Sequence, residues 1–217
     1  MKWSVVSVFM FLAATACIAQ SKYSTDTGEC GGDVRAAASI SKTPVRISHA
    51  GSIRMYGILE FRHNETDAKA NHCHVIYRLL VSSGNGAFVE AHRLVWDTEE
   101  GEIAGIDLIG FSPDGSKAAA NLWLAAGDGV VNRPVVYDMK TKTAIFAVMP
   151  DVEDKRVPQE SCDDDPYESL DSVTDAGTII VSVPAIEGCA DGGLWSFDPK
   201  AVVWKRIRLY SGRKPIK

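Results

Sequence analysis

The stretch Phe111-Ser112-Pro113-Asp114-Gly115-Ser116-Lys117 decides the fold of this chain. Pro113 fixes its own φ angle, and Asp114-Gly115 is a pair that tight hairpin turns prefer, since glycine tolerates a positive φ. The residues on either side, 103–111 and 118–126, are short apolar runs bounded by Gly, Pro or Asp. The stretch therefore predicts a β-hairpin.

A second hairpin and two similar turns extend the pattern beyond this turn. The runs 134–138 and 143–148, joined by a polar turn, predict a second hairpin, so that four short strands form one meander sheet. Similar turns lie around Gly51 and Gly177, which are 64 residues before and 62 residues after Gly115. The strands predicted to follow these two turns are 53–61, 74–81 and 87–95 for the first, and 179–183, 194–198 and 201–207 for the second.

The 111–117 stretch, followed by a strand and by the aromatic-Asp strand end Tyr137-Asp138, resembles the blade repeat of β-propellers. The repeat most resembles the WD40-like blades of the kind found in the periplasmic propeller of the Tol system. Phe197-Asp198 matches Tyr137-Asp138, although the repeat is longer than the roughly 40 to 50 residues of common blades. The resemblance implies a fold and no catalytic residue.

We therefore expect an all-β chain of three four-stranded antiparallel meander repeats, near 45–97, 103–148 and 165–210. Propellers usually close with four to eight blades, so three sheets depart from the family. They predict a partial ring, a ring completed by a homodimer, or an irregular sandwich.

The N-terminus has the layout of a secretory signal peptide at 1–19. Lys2 precedes an apolar run that is shorter than the about 20 residues of a membrane span, and small residues follow up to Ala19. Cleavage there, or alternatively after Ala16, leaves a single β-rich domain from about residue 20 to residue 217. We expect an exported protein, periplasmic or secreted. Lipid anchoring at Cys17 is the alternative, disfavoured because Ala14 stands where lipoproteins usually have Leu.

Cys30, Cys73, Cys162 and Cys189 remain after processing, and an even number in an exported chain predicts two disulfides. The sequence alone allows three pairings. Cys30 and Cys162 precede the first strand of a repeat, while Cys73 and Cys189 fall in the loop entering its third strand. The repeat thus predicts the pairs Cys30–Cys73 and Cys162–Cys189, each within one sheet.

No cofactor, metal or catalytic site is predicted. His72-Cys73-His74, with His63 across a hairpin, has the residue types of a metal site, but Cys73 is expected in a disulfide. The acidic run at 162–168, with Asp171 nearby, lacks the spacing of a known calcium loop. Asn64-Glu65-Thr66 fits a glycosylation acceptor. The segment around Ser112 lacks the second glycine of a nucleophile elbow. Pro113, which follows the serine, has no backbone N–H to serve in an oxyanion hole.

The net charge of −5 gives no electrostatic footprint for nucleic acid. Trp123, Trp195 and Trp204 fall on predicted strands and are expected to pack on sheets. The leading functional expectation is a non-catalytic exported module that binds or scaffolds through loops on a rigid frame, with a protein or glycan as partner. The alternatives are a cell-envelope hydrolase or lyase, using acids in 163–168 or His72 and His74, and a structural protein without a ligand.

Overall fold

The computed structural model describes residues 23–25, 28–30, 39–63, 72–99, 101–126, 129–149, 169–183 and 193–209. These residues form strands and turns, and they contain no helix. Accordingly, none of the described segments is a helix long and apolar enough to cross a membrane. The predicted signal peptide, Cys17 and the residues 163–168 lie outside the described residues.

Fourteen described strands form three antiparallel sheets. The N-terminal sheet contains β2 (Ser39–Lys42), β3 (Arg46–Ile47), β4 (Ile53–His63), β5 (His72–Ser83) and β6 (Val89–Glu99). The central sheet contains β1 (Gly28–Glu29), β7 (Ile103–Phe111), β8 (Lys117–Ala126), β9 (Gly129–Asp138) and β10 (Thr143–Phe146). The C-terminal sheet contains β11 (Ser169–Val173), β12 (Ile179–Val183), β13 (Gly193–Asp198) and β14 (Val203–Leu209).

The expected all-β class and the antiparallel meanders are confirmed, with two differences in strand number. In the N-terminal sheet β2 and β3 pair with successive parts of β4, so they are two pieces of one edge strand. Pro44 lies between them and has no backbone N–H to donate. In the central sheet β1 adds a strand beside β7 that the repeat did not predict.

The three repeat turns share one hydrogen-bonding pattern. A glycine at the fourth position has a positive φ and donates its N–H to the carbonyl oxygen of the first residue, as in Gly51, Gly115 and Gly177. The first residue carries a hydroxyl group, whose oxygen accepts the N–H of the residue at the start of the next strand or directly before it: Ser48, Ser112 and Thr174. The turn chemistry read from Asp114-Gly115 thus extends to all three repeats.

The central sheet packs against both of the others. One face contributes Ile106, Leu122 and Val135 to a core with inward residues of the N-terminal sheet, including Tyr77 and Leu79. The opposite face contributes Ile109, Ala119 and Val136 to a second core with Val173, Ile179, Val181 and Phe197 of the C-terminal sheet. The small residues Ala118–Ala120, all fully buried, suit a strand enclosed on both sides.

Cys30 and Cys73 form a disulfide, with their Cα atoms 5.8 Å apart. The prediction that this bridge lies within one sheet is wrong. Cys73 is the second residue of β5, not part of a loop, and Cys30 follows β1, which belongs to the central sheet. Because β1 had no counterpart in the repeat, its pairing could not be foreseen. The bridge therefore joins two sheets, and the second predicted pair, Cys162–Cys189, lies outside the described residues.

Candidate functional site

A strip of polar side chains crosses the face of the central sheet that looks away from the N-terminal sheet. The backbone register places Ser24 beside Asp107, Asp107 opposite Asn121, and Trp123 opposite Asn132. Directly opposed residues point to the same side of an antiparallel sheet. We call these five residues the polar face.

Trp123 packs against the backbone of the neighbouring strand at Gly105. Its cross-strand partner is Gly105, and a Cβ atom built on Gly105 would lie only 2.3 Å from Cζ2 of Trp123. Any other residue at position 105 would therefore displace the indole ring. The ring is half-buried, so one part of it remains accessible to a ligand.

Asp107 is held by Ser24 on the polar face. The hydroxyl of Ser24 donates a hydrogen bond to Oδ1 of its carboxyl group. Burial raises the pKa of Asp107, and Ser24 and the nearby Trp123 side chain offset part of that effect. The carboxyl group thus combines an acceptor surface with a higher proton affinity than an exposed aspartate has.

Asn121 and Asn132 form the amide part of the polar face. The Asn121 side chain is 4 % exposed, and its Nδ2 donates to Oδ1 of Asn132 at 2.7 Å. Its Oδ1 accepts the backbone N–H of Arg133 at 3.0 Å, which fixes the orientation of the amide. The half-buried Asn132 therefore has an Nδ2 group that none of its described contacts engages.

The polar face has one closed and one open end. At the closed end, Ala119 and Val136 pack against the C-terminal sheet. At the other end, the register puts Ile103, Ala125 and Val130 in one row, and Ile103 and Val130 are 38 % and 39 % exposed. The strip therefore combines an aromatic ring, one carboxyl group and two amides beside an apolar rim.

No family model, curated protein or solved structure matches this chain. Its functional assignment therefore depends on the geometry of its own residues.

The candidate histidines from the sequence lie elsewhere. His72 and His74 are on the face of the N-terminal sheet that looks away from the central sheet, and Nδ1 of His74 contacts Oδ1 of Asp97 at 2.5 Å. His63 pairs with Cys73 in the backbone register, while its side chain is outside the described residues. Within the described ranges, no group of three or more His, Cys, Asp or Glu side chains is placed to hold a metal ion.

The other predicted side chains have structural positions. Ser112 is buried in its turn, where its hydroxyl donates to Oδ1 of Asp114 at 2.7 Å. Trp195 and Trp204 pack at the edge of the core between the central and C-terminal sheets. Asn64, Asp163 and Glu168 lie outside the described residues.

Sequence reasoning missed Asp107, Asn121 and Asn132. The only signal was that a single polar residue interrupts each of two apolar strands, at Asp107 and Asn121. A regular hairpin through the 111–117 turn would pair Asp107 with Leu122. A bulge between Leu108 and Gly110 shifts the register by one residue, so that Asp107 meets Asn121.

Proposed function

We propose that this protein is an exported, non-catalytic binding module that recognises a glycan through the polar face. The observation that carries the proposal is the half-buried indole of Trp123, which packs against Gly105 and lies beside the carboxyl group of Asp107. An aromatic ring offers a flat apolar surface, and the neighbouring amide and carboxyl groups offer hydrogen bonds to hydroxyl groups. A sugar ring presents both kinds of surface.

Three further observations support parts of this proposal. The Cys30–Cys73 disulfide fits a protein that folds in an oxidising compartment. The face-to-face packing of three meander sheets suits a propeller-type arrangement, which we retain as a proposal for the architecture. The polar face carries a single carboxyl group, whereas most glycoside hydrolases use a pair, and this favours binding over hydrolysis.

Glycan binding by the mature oxidised chain tests the proposal. The probe is an array of microbial, plant and animal oligosaccharides, followed by calorimetric titration with the best ligand. We expect Trp123→Ala to raise the Kd about tenfold or more, since losing a buried aromatic anchor commonly costs more than about 1 kcal/mol. Trp123→Phe keeps an aromatic ring but loses the indole N–H, so we expect a smaller rise in Kd.

Phe88→Ala is the matched control, because the Phe88 ring packs on Tyr56 on a different sheet. This variant should bind like the wild type. The proposal would be overturned if no oligosaccharide on the array bound the protein. It would also be overturned if Trp123→Ala and Phe88→Ala lowered the affinity for the ligand equally. Shortening of the ligand during incubation would favour the hydrolase alternative.

A further inference from the structure

Within the part of the chain that the structure describes, β6 is an edge strand of the N-terminal sheet. Among the described residues β6 pairs with β5 alone, and it ends the strand order of the sheet. Its register with β5 is regular from His92 to Glu99, after a bulge near Ala91. A long, regular strand edge is a template for pairing with another strand.

The outward side chains of this edge alternate in a defined order. Arg93, Val95, Asp97 and Glu99 are opposite Arg78, Ile76, His74 and His72 of β5, on the face away from the central sheet. Val95 is 51 % exposed, and the side chain of Asp97 is 74 % exposed. Arg93 thus lies two residues before the exposed Val95, and Asp97 lies two residues after it.

We propose that β6 pairs with β6 of a second copy of this chain, antiparallel, across a two-fold axis through Val95. In that register Val95 meets its own copy. Arg93 of each chain meets Asp97 of the other, so both charged pairs are of opposite sign. Opposite charges and β-branched residues are favourable cross-strand pairs.

Neighbouring registers lack this complementarity. Moving the axis to Leu94 would place Arg93 opposite Val95, and moving it to Trp96 would place Val95 opposite Asp97. A shift to an axis between two residues would oppose outward side chains to inward ones. Only the axis through Val95 matches charge with charge and apolar with apolar.

The charge pattern inside the sheet also favours an anion from a second chain. The register aligns Lys42, Ile58, Arg78 and Arg93 in one row, which has three cations and no carboxylate. Directly opposed like charges are unfavourable, and Nε of Arg78 is buried without a hydrogen-bond partner. Asp97 of a second copy would extend this row with a negative charge.

The dimer would join two N-terminal sheets into one continuous sheet. A single strand pair is a small interface, below the roughly 1,200 Å² of standard stable complexes, so we expect a reversible dimer. Sedimentation velocity of the mature chain over a concentration series should show a monomer–dimer equilibrium. A monomer at every concentration would overturn the proposal.

Charge reversal tests the register. Arg93→Asp and Asp97→Arg should each raise the dimer Kd about tenfold or more, because two attractive pairs become two repulsive ones. An equimolar mixture of the two variants should recover dimers, since the aspartate introduced in one chain would meet the arginine introduced in the other. A mixture that stays monomeric, or variants that dimerise like the wild type, would overturn the proposed register.

A cysteine at the axis gives an independent readout. Directly opposed residues in antiparallel strands have Cα atoms about 4.5 to 5.5 Å apart, within the range that a disulfide spans. Val95→Cys should therefore form a covalent dimer on mild oxidation. Val89→Cys is the matched control, because Val89 is equally exposed but does not meet its own copy in this register. Equal cross-linking of both variants would contradict the pairing.

Discussion

At the scale of single residues, Asp107 is a partly buried carboxyl group at the centre of the polar face. A carboxyl group that loses water binds its proton more tightly, so burial raises its pKa. The hydrogen bond from Ser24 and the nearby Trp123 side chain stabilise the ionised form in part. The residue therefore links folding stability to pH.

We expect Asp107→Asn to change this pH dependence in a defined direction. Because the folded-state pKa is raised, the contribution of Asp107 to stability is present below the unfolded pKa of about 3.9 and is lost as pH rises through the folded value. The asparagine variant does not titrate at this position. The free energy of unfolding of the wild type should thus fall relative to the variant as the pH rises above about 3.9, measured by urea titration at a series of pH values.

The opposite slope would show that hydrogen bonding outweighs burial at Asp107. Equal pH dependence of the two proteins would mean that the carboxyl group has the same proton affinity in the folded and unfolded chains.

The sequence could predict the local role of Gly115 but not the surroundings of Asp107. A turn glycine is recognised from its neighbours, and its φ of 70° agrees with that reading. The partners of Asp107 depend on a bulge at Ile109, where Gly110 has a φ of 131°. A glycine inside a strand can mark a bulge or a close approach of another group, and residues 103–111 contain two, Gly105 and Gly110. Only Gly110 adjoins the bulge, and the sequence does not distinguish the two glycines, so the register across the hairpin could not be predicted.

At the scale of strands and turns, the hairpins β9–β10 and β13–β14 share one connection. Asp138 and Asp198 each accept two backbone N–H groups of the turn through Oδ1. The last turn residue has a positive φ in both, 58° at Lys142 and 54° at Val202. The matching strand ends Tyr137-Asp138 and Phe197-Asp198 thus lead into the same turn.

Val202 is strained in this turn, because the left-handed region is unfavourable for a β-branched residue. The cost is about 1 to 2 kcal/mol, and asparagine tolerates the same conformation better. We expect Val202→Asn to raise the free energy of unfolding by about 1 kcal/mol, since Val202 is exposed and loses little burial. Lys142→Asn is the matched variant and should give a smaller gain. A loss of stability in Val202→Asn would contradict this account.

The sequence predicted the elements better than their ends. β7 and β12 agree with the predicted 103–111 and 179–183, where turn residues bound the apolar runs on both sides. β9 begins at Gly129, five residues before the predicted start at Pro134. The proline does not bound the strand: it lies inside β9, where it pairs with Asn121. The break between β2 and β3 depends on tertiary pairing with β4 and had no local signal beyond Pro44.

At the scale of the whole molecule, the Cys30–Cys73 bridge fastens the N-terminal segment to two sheets at once. Thr25 donates its backbone N–H to Ile106, and Cys30 donates its own to Glu102. The disulfide then ties this segment to β5 of the N-terminal sheet. Removal of the bridge should therefore loosen the edge of β7 as well as lower the overall stability.

We expect Cys30→Ser/Cys73→Ser to lower the free energy of unfolding by about 3 to 4 kcal/mol, the chain-entropy value for a loop of 43 residues. Denaturant unfolding measures the total. Hydrogen exchange should show faster exchange of the Thr25 and Cys30 amides, while amides within β8 stay protected. Unchanged exchange at residues 23–30 would mean that the backbone pairing with β7 is sufficient by itself.

The backbone pairing of residues 23–25 and 28–30 with β7 also sets an order of events in folding. Thr25 and Ile106 are 81 residues apart, so a chain emerging from the ribosome presents this segment long before its partner strand exists. Closing so long a loop is slow, and the segment must wait until β7 is in place. In the oxidised protein, a cut after residue 30 would leave the segment attached through the Cys30–Cys73 bridge. A chain that is both cut there and reduced could lose the segment and leave β7 open on that side. The same segment supplied by another molecule would fit the gap, so strand exchange is the expected failure of a nicked and reduced N-terminus.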